Sequence, residues 1–218
     1  MQNWLGQRSR EEARHWLPSQ GVDPAPLTEL NAECLGLLAA RAAEAAPGAP
    51  IPPLLSVLRR PWESLTAQAV RRLAGAPFCL FDPGIASASR WLELRGRAVH
   101  DMTQRIEPVY FDAAAASSIT RRALVYGWHL SRSRPRAACL VFGCNIAAVE
   151  ALAACSLTVL DVAADRNASQ LRPRWPNQTT FWRELLAAAA DADDRRLHEL
   201  LLGGIQKLAA DSFTAQGS

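Results

Sequence analysis

The chain has 218 residues, a formal net charge of +3 and 49% hydrophobic residues, enough for one large or two small domains with a buried core. No uncharged stretch exceeds 14 residues and the first residues contain no apolar core, so we expect neither a transmembrane helix nor a secretory signal. Leucine outnumbers valine and isoleucine together by 29 to 16, which favours helix over strand. We therefore expect a cytoplasmic protein with an all-α, multi-helix bundle fold.

The first half of the chain is divided by prolines. Residues 1–20 carry Trp4 and Trp16 around a charged centre, and we predict an N-terminal arm there. Residues 21–112 form a predicted N-terminal helical module, in which proline and glycine mark where helices start and stop. The expected elements are helices over 27–46, 54–58, 61–74 and 85–94, a linker at 47–50 and an apolar extended run at 78–81.

Capping residues divide the second half into short helices. Asp112, Asn145 and Ser156 are typical helix N-caps, and Gly143 is typical of a helix C-terminus. Residues 113–212 form a predicted second helical domain, and 213–218 a tail. The expected elements are helices from 113 to near 135, over 136–142, 146–154, 157–165 and 179–190, and from 193 onward, with extended chain at 171–176 because of two prolines.

The helices at 146–154 and 157–165 have the outline of a helix-turn-helix. The second of them offers Asp161 and Asp165 where a recognition helix needs side chains that read bases. Two carboxylates facing DNA would repel its phosphates. We therefore expect this helix to be a poor candidate for entering a DNA groove on its own.

Reactive motifs are missing from the sequence. It contains no glycine-rich phosphate loop, no nucleophile elbow and no zinc-binding His-Glu-x-x-His. The five cysteines include no Cys-x-x-Cys pair, so packed core thiols are the better interpretation than a zinc site. We expect no catalysis, no metal, no cofactor and no small-molecule substrate.

Basic residues are concentrated between Ser117 and Arg183, where nine arginines accompany three acids. Guanidinium groups suit phosphates because their planar fork donates two hydrogen bonds to one anion. Alternatively, these arginines lie on solvated helix faces or bridge neighbouring elements. The candidate nucleic-acid-binding residues are Arg121, Arg122, Arg132, Arg134, Arg136, Arg172 and Arg174.

Tryptophan content points instead to protein interfaces. Seven tryptophans accompany only two tyrosines, and exposed tryptophan and arginine side chains anchor interfaces. The exposure of Trp62 and Trp91 helps to decide between an interface and a core role for the tryptophans. The candidate interface residues are Trp4, Trp16, Trp128 and Trp175.

One family resemblance covers residues 119–185. The features that carry it are the helix Leu124–Leu130, the small-residue helix 137–140, Gly143 with Asn145, the Cys155-Ser156 junction, and Arg174-Trp175 before a final helix. In this order they resemble the FlhD family, the D subunit of the bacterial flagellar master transcriptional activator. The resemblance implies an all-α homodimer that acts on promoters together with a C-type subunit, which carries the zinc-binding cysteines. Residues 1–112 have no counterpart in that family.

Two functions therefore stay open. The first is a bacterial transcriptional regulator that binds duplex DNA with or through a C-type partner subunit. The second is a non-enzymatic protein-interaction or assembly accessory factor with no nucleic-acid role.

Overall fold

A computed structural model of the chain describes residues 23–44, 51–96 and 109–214, and it confirms the predicted all-α fold. The predicted arm and the 47–50 linker lie outside these residues. The described first half contains α1 (Ala25–Glu44), α2 (Pro53–Val57), α3 (Arg59–Glu63), α4 (Ala67–Ala74), β1 (Phe81–Asp82) and α5 (Ala88–Gly96). The second half contains α6 (Ala113–Ser133), α7 (Pro135–Phe142), α8 (Ile146–Ala153), α9 (Leu157–Ala168), β2 (Arg172–Pro173), α10 (Thr179–Ala190) and α11 (Asp194–Thr214).

The three N-caps predicted in the second half are present. The side chain of Asp112 accepts a hydrogen bond from the backbone N–H of Ala115 at 2.9 Å, and Asn145 caps α8 in the same way. Ser156 caps α9 through the N–H of Val159 at 3.3 Å. Gly143 ends α7 in the left-handed conformation, with φ 59°. These short-range signals could be predicted because a cap needs only residues within one turn.

The single helix expected over 61–74 is wrong, because the chain forms α3 and α4 there. Thr66 separates them: its hydroxyl accepts a hydrogen bond from the N–H of Ala69 at 3.2 Å, with Thr66 itself in an extended conformation. A threonine side chain offers the backbone this alternative to continued helix. Two smaller differences are that α5 begins at Ala88 rather than at residue 85 and that α9 continues to Ala168.

Helices α1 and α6 organise the packing. α1 packs against α3 and α4, α6 packs against α7, α8 and α9, and α1 also contacts α6. One hydrophobic core runs through both predicted modules, and it buries Trp62 and Trp91 completely. These two tryptophans are therefore core residues and not exposed interface residues. No described helix is by itself long and apolar enough to span a membrane, and the α7–α8 pair that reaches this length and composition together is bent by 114°.

A short antiparallel pairing joins the two halves of the chain. Phe81 of β1 faces Pro173 of β2. The predicted extended run at 171–176 is wrong at Trp175, whose φ is 48°. A non-glycine residue in this region is strained, and tertiary contacts hold it. The Trp175 ring packs on Phe78 and Phe181, and its Nε1 donates to Asp211 at 3.0 Å.

Gly203 and Gly204 lie inside α11 without interrupting it, and the two glycines differ in their surroundings. A Cβ on Gly204 would lie 2.5 Å from Cζ of Phe78, a fully buried ring, whereas a Cβ on Gly203 would meet no atom within 4 Å. We expect Gly204→Ala to lower the free energy of unfolding by about 1–3 kcal/mol through overpacking. Gly203→Ala should raise it by about 0.5–1 kcal/mol through helix propensity. Denaturant unfolding of the two variants checks this, and an equal effect of both would contradict the close α11–Phe78 contact.

Candidate functional site

Two of the seven candidate arginines hold α6 to its neighbours. Nε of Arg121 lies 3.0 Å from Asp161, and its Nη2 lies 3.2 Å from Asp165, both on α9. Arg122 pairs with Glu33 and, at 3.9 Å, with Glu29, both on α1. These exposed pairs are neutralised within the fold, which leaves their guanidinium groups less available to phosphates.

Arg174 is also engaged within the protein. Its Nε donates to the carbonyl of Cys79 at 2.9 Å, and its Nη2 donates to the carbonyl of Phe142 at the end of α7. Its own carbonyl accepts a hydrogen bond from the buried Trp182 indole at 2.8 Å. Arg174 therefore joins three segments of the chain and compensates the negative end of α7.

The remaining four arginines take part in no ion pair within the described parts of the chain. The guanidinium carbon of Arg132 lies 4.6 Å above the ring centre of Trp128, a cation–π geometry. Arg134 is half-buried between α6 and α7, and Arg136 is exposed on α7. Arg172 is exposed on β2, away from the other three in sequence. Arg132, Arg134 and Arg136 fall within five consecutive residues at the junction of α6 and α7, and we call them the α6–α7 corner.

The two described interface candidates are half-buried. Nε1 of Trp128 donates to the carbonyl of Cys155 at 2.9 Å, which places the ring against the turn between α8 and α9. Trp175 is enclosed by aromatic rings, as described above. Trp4 and Trp16 lie outside the described residues. Trp128 is therefore the candidate that is partly exposed and lies where α6 contacts the turn between α8 and α9.

Helices α6 and α9 run antiparallel and form a surface seam. The cross-links fix the register: Trp128 meets Cys155, Arg121 meets Asp161, and Ser117 donates to Asp165 at 2.9 Å. Residues 121, 125, 128 and 132 share one flank of α6 at helical spacing. We call this surface the α6/α9 seam, and its residues are Arg121, Val125, Trp128 and Arg132 of α6 with Leu157, Asp161 and Asp165 of α9.

The centre of the seam is apolar and exposed. Val125 is 41% exposed and Leu157 is 56% exposed. Val125 lies between the Trp128 and Arg121 cross-links, opposite the first turn of α9, which Leu157 begins. These two exposed side chains and the half-buried Trp128 ring are the apolar residues of the seam, and we call them the apolar strip. Single exposed aliphatic residues are ordinary, but an apolar strip beside an arginine-covered indole is typical of an interaction surface.

Charge varies along the seam. Arg132 stands at one end, next to the α6–α7 corner, so this end is basic. At the other end, Arg121 is the one cation among the described residues that pairs with Asp161 and Asp165, which leaves one negative charge in excess there. The apolar strip therefore separates a basic end, marked by Arg132, from an acidic end.

Reactive chemistry is not assembled in the described parts of the chain. No group of three or more His, Cys, Asp or Glu residues there could hold a metal ion. Burial raises the pKa of Cys79 to about 12, an increase that the nearby Arg174 partly opposes, and burial likewise raises the pKa of Cys144 to about 12. Burial also raises the pKa of Cys34 and of Cys139. These four thiols are therefore protonated at neutral pH, which disfavours nucleophilic roles.

Sequence reasoning selected Trp128 and Arg132 but missed Val125 and Leu157. Periodicity assigns Val125 to an apolar helix face, and nothing local shows that α9 leaves it uncovered. The available signal was the four-residue spacing of Leu157, Asp161 and Asp165, which makes one flank of α9 mixed rather than polar.

Comparison with protein-family models, curated proteins and solved structures finds no match to this chain. The resemblance of residues 119–185 to the FlhD family stays a prediction.

Proposed function

We propose that this chain is a non-catalytic protein-interaction module that binds another protein through the α6/α9 seam. The observation that carries the proposal is the apolar strip of exposed Val125, exposed Leu157 and half-buried Trp128, placed between ends of opposite charge. Interfaces combine such aromatic and aliphatic anchors with a polar rim, and arginine and tryptophan contribute strongly to them.

The rigidity of the seam supports this proposal. Arg121 and Ser117 connect α6 to α9 on one side of the strip, and Trp128 connects α6 to the turn before α9 on the other side. Each exposed ion pair contributes little stability alone, but together they fix the relative position of the two helices. A surface held in place before binding loses less conformational entropy when a partner docks.

Affinity capture from cells that express the chain naturally tests the proposal. We expect the wild-type chain to retain specific proteins and the Val125→Ser/Leu157→Ser variant to retain at least about tenfold less of them, because truncated anchors at interface centres have the largest effects. The matched control is Leu92→Ser/Leu202→Ser, which removes two leucines that are 57% and 45% exposed on α5 and α11. Equal retention by the seam variant, or retention that nuclease treatment abolishes, would contradict a protein-binding role for the seam.

A second candidate function is the regulation of transcription through duplex DNA, with or through a C-type partner subunit. The α6–α7 corner favours it, because Arg132, Arg134 and Arg136 have no carboxylate partner within the described residues. Phosphate contacts by three arginines would make binding steeply dependent on salt. The internal ion pairs of Arg121 and Arg122 and the hydrogen bonds of Arg174 argue against a larger DNA-binding surface.

A further inference from the structure

We infer that the partner segment recognised by the α6/α9 seam is an acidic amphipathic helix, and this inference rests on the proposed function. The apolar strip provides the contact for its leucine-like side chains. The unpaired arginines at one end of the strip select for glutamate or aspartate. The inference thus gives the chemical class of the ligand for the surface proposed above.

The shape of the seam suits a helix. Two antiparallel helices leave a shallow groove between them, and a third helix can pack its apolar ridge into that groove. From Arg121 to Arg132 the seam covers twelve residues of α6, a length of about 16 Å at the rise of an α-helix. A partner helix of about three turns spans this distance and presents apolar residues at i, i+3 or i+4, and i+7.

Charge complementarity indicates that the side chains of the partner at the basic end of the seam are negatively charged. Arg132 lies at this end of the seam, Arg134 and Arg136 follow it within four residues, and none of the three forms an ion pair with a carboxylate of the described residues. Acidic side chains on a partner would be attracted there, whereas basic side chains would be repelled. Arg132 already lies over Trp128, so an arriving carboxylate meets a guanidinium group whose position is restricted.

Duplex DNA fits the same surface less well. The seam presents exposed Val125 and Leu157, which have no favourable contact with phosphates. Asp161 and Asp165 lie on the same flank, where Arg121 is their one ion-pair partner in the described segments. A polyanion along the seam would contact both the apolar side chains and the aspartates unfavourably. A helix with apolar residues at its centre and acids at one end would pack on the apolar side chains and avoid the aspartates.

Fluorescence anisotropy of labelled synthetic peptides tests this inference on the full chain. The probe is a three-turn helical peptide with leucines at i, i+3 and i+7 and glutamates in its first half, where they also stabilise the helix N-terminus. One control peptide carries lysine in place of each glutamate, and another carries serine in place of each leucine. We expect saturable binding of the probe only, weakened severalfold at high salt because charge pairs at an exposed rim are screened.

Variants of the chain locate the binding. We expect Leu157→Ser and Arg132→Gln each to weaken probe binding by at least about fivefold, as truncated anchors do. Leu202→Ser and Arg183→Gln, matched changes at exposed positions outside the seam, should leave it unchanged. All four positions are exposed, so unfolding does not confuse the comparison.

Four results would overturn the inference. These are no saturable probe binding up to about 1 mM, equal binding of the lysine peptide, tight binding of duplex DNA that displaces the probe, or a wild-type dimer that Leu157→Ser converts to a monomer. The last would assign the seam to a second copy of this chain. If cellular capture depends on the seam while the probe fails, only the acidic-helix inference is wrong. If capture itself is independent of the seam, the proposed function is wrong.

Discussion

Replacing Asn31 with leucine should lower the free energy of unfolding by about 3–5 kcal/mol, the larger of the two strongest effects we expect. The fully buried side chain of Asn31 makes three hydrogen bonds to the backbone. Its Nδ2 donates to the carbonyls of Phe78 at 3.0 Å and Ala74 at 3.4 Å, and its Oδ1 accepts from the N–H of Leu80 at 2.9 Å. Leucine has a similar volume but leaves all three groups without a partner in the interior, at about 1–3 kcal/mol each.

Urea unfolding followed by circular dichroism measures this effect. The matched control is Asn177→Leu, the same chemical change at an exposed residue, which should alter stability by no more than about 0.5 kcal/mol. If Asn31→Leu and Asn177→Leu shift the unfolding midpoint equally, Asn31 does not connect α1 to the 74–80 segment.

Arg174→Met should lower the free energy of unfolding by about 2–4 kcal/mol. Methionine retains the apolar stem but removes the donors to the carbonyls of Cys79 and Phe142. Hydrogen bonds from a charged donor contribute about 1.5–3 kcal/mol each, and the guanidinium also compensates the C-terminal end of α7.

Arg172→Met is the internal control for this prediction. Arg172 is exposed, lies two residues away and makes no ion pair in the described ranges, so its loss should change stability by less than about 0.5 kcal/mol. Thermal unfolding of both variants separates the two roles. A smaller loss for Arg174→Met than for Arg172→Met would contradict the structural role of Arg174. Because we expect Arg174 variants to be destabilised, a loss of DNA binding in them would not identify Arg174 as a phosphate contact.

Helix caps in this chain were predictable from the sequence, whereas most arginine roles were not. Asp112, Asn145, Ser156 and Gly143 act on residues within one turn, so local chemistry decides them. The division of 61–74 at Thr66 was missed because the cap signal of a threonine competes with the apolar periodicity on both sides of it.

Long-range partners decide what the charged residues do. Arg121 and Arg174 look alike in sequence, but one pairs with carboxylates of α9 and the other donates to carbonyls of distant segments. The left-handed backbone conformation of Trp175 is likewise held by contacts of its side chain with Phe78 and Asp211, which are far from it in the chain. Sequence reasoning left bridging of neighbouring elements open as an alternative for the arginines, and the packing of α6 on α9 supplies the contacts that the sequence leaves unspecified.

The helix-turn-helix outline in the sequence does not determine which side chains the two helices expose. The two helices are present as α8 and α9, and both pack on α6. The flank of α9 next to α6 carries Asp161 and Asp165, which are engaged with Arg121, beside the exposed Leu157. This chemistry favours contact with a protein segment over insertion into a DNA groove.

Photo-crosslinking in cells that express the chain naturally tests the central claim most directly. A photoreactive p-benzoylphenylalanine replaces Leu157 in the seam or, as the control, Leu202 on α11. We predict a discrete adduct with another protein from position 157 and none from position 202. Adducts from position 157 that consist only of nucleic acid, or of a second copy of this chain, or a pattern identical for the two positions, would contradict the claim that the α6/α9 seam binds a partner protein.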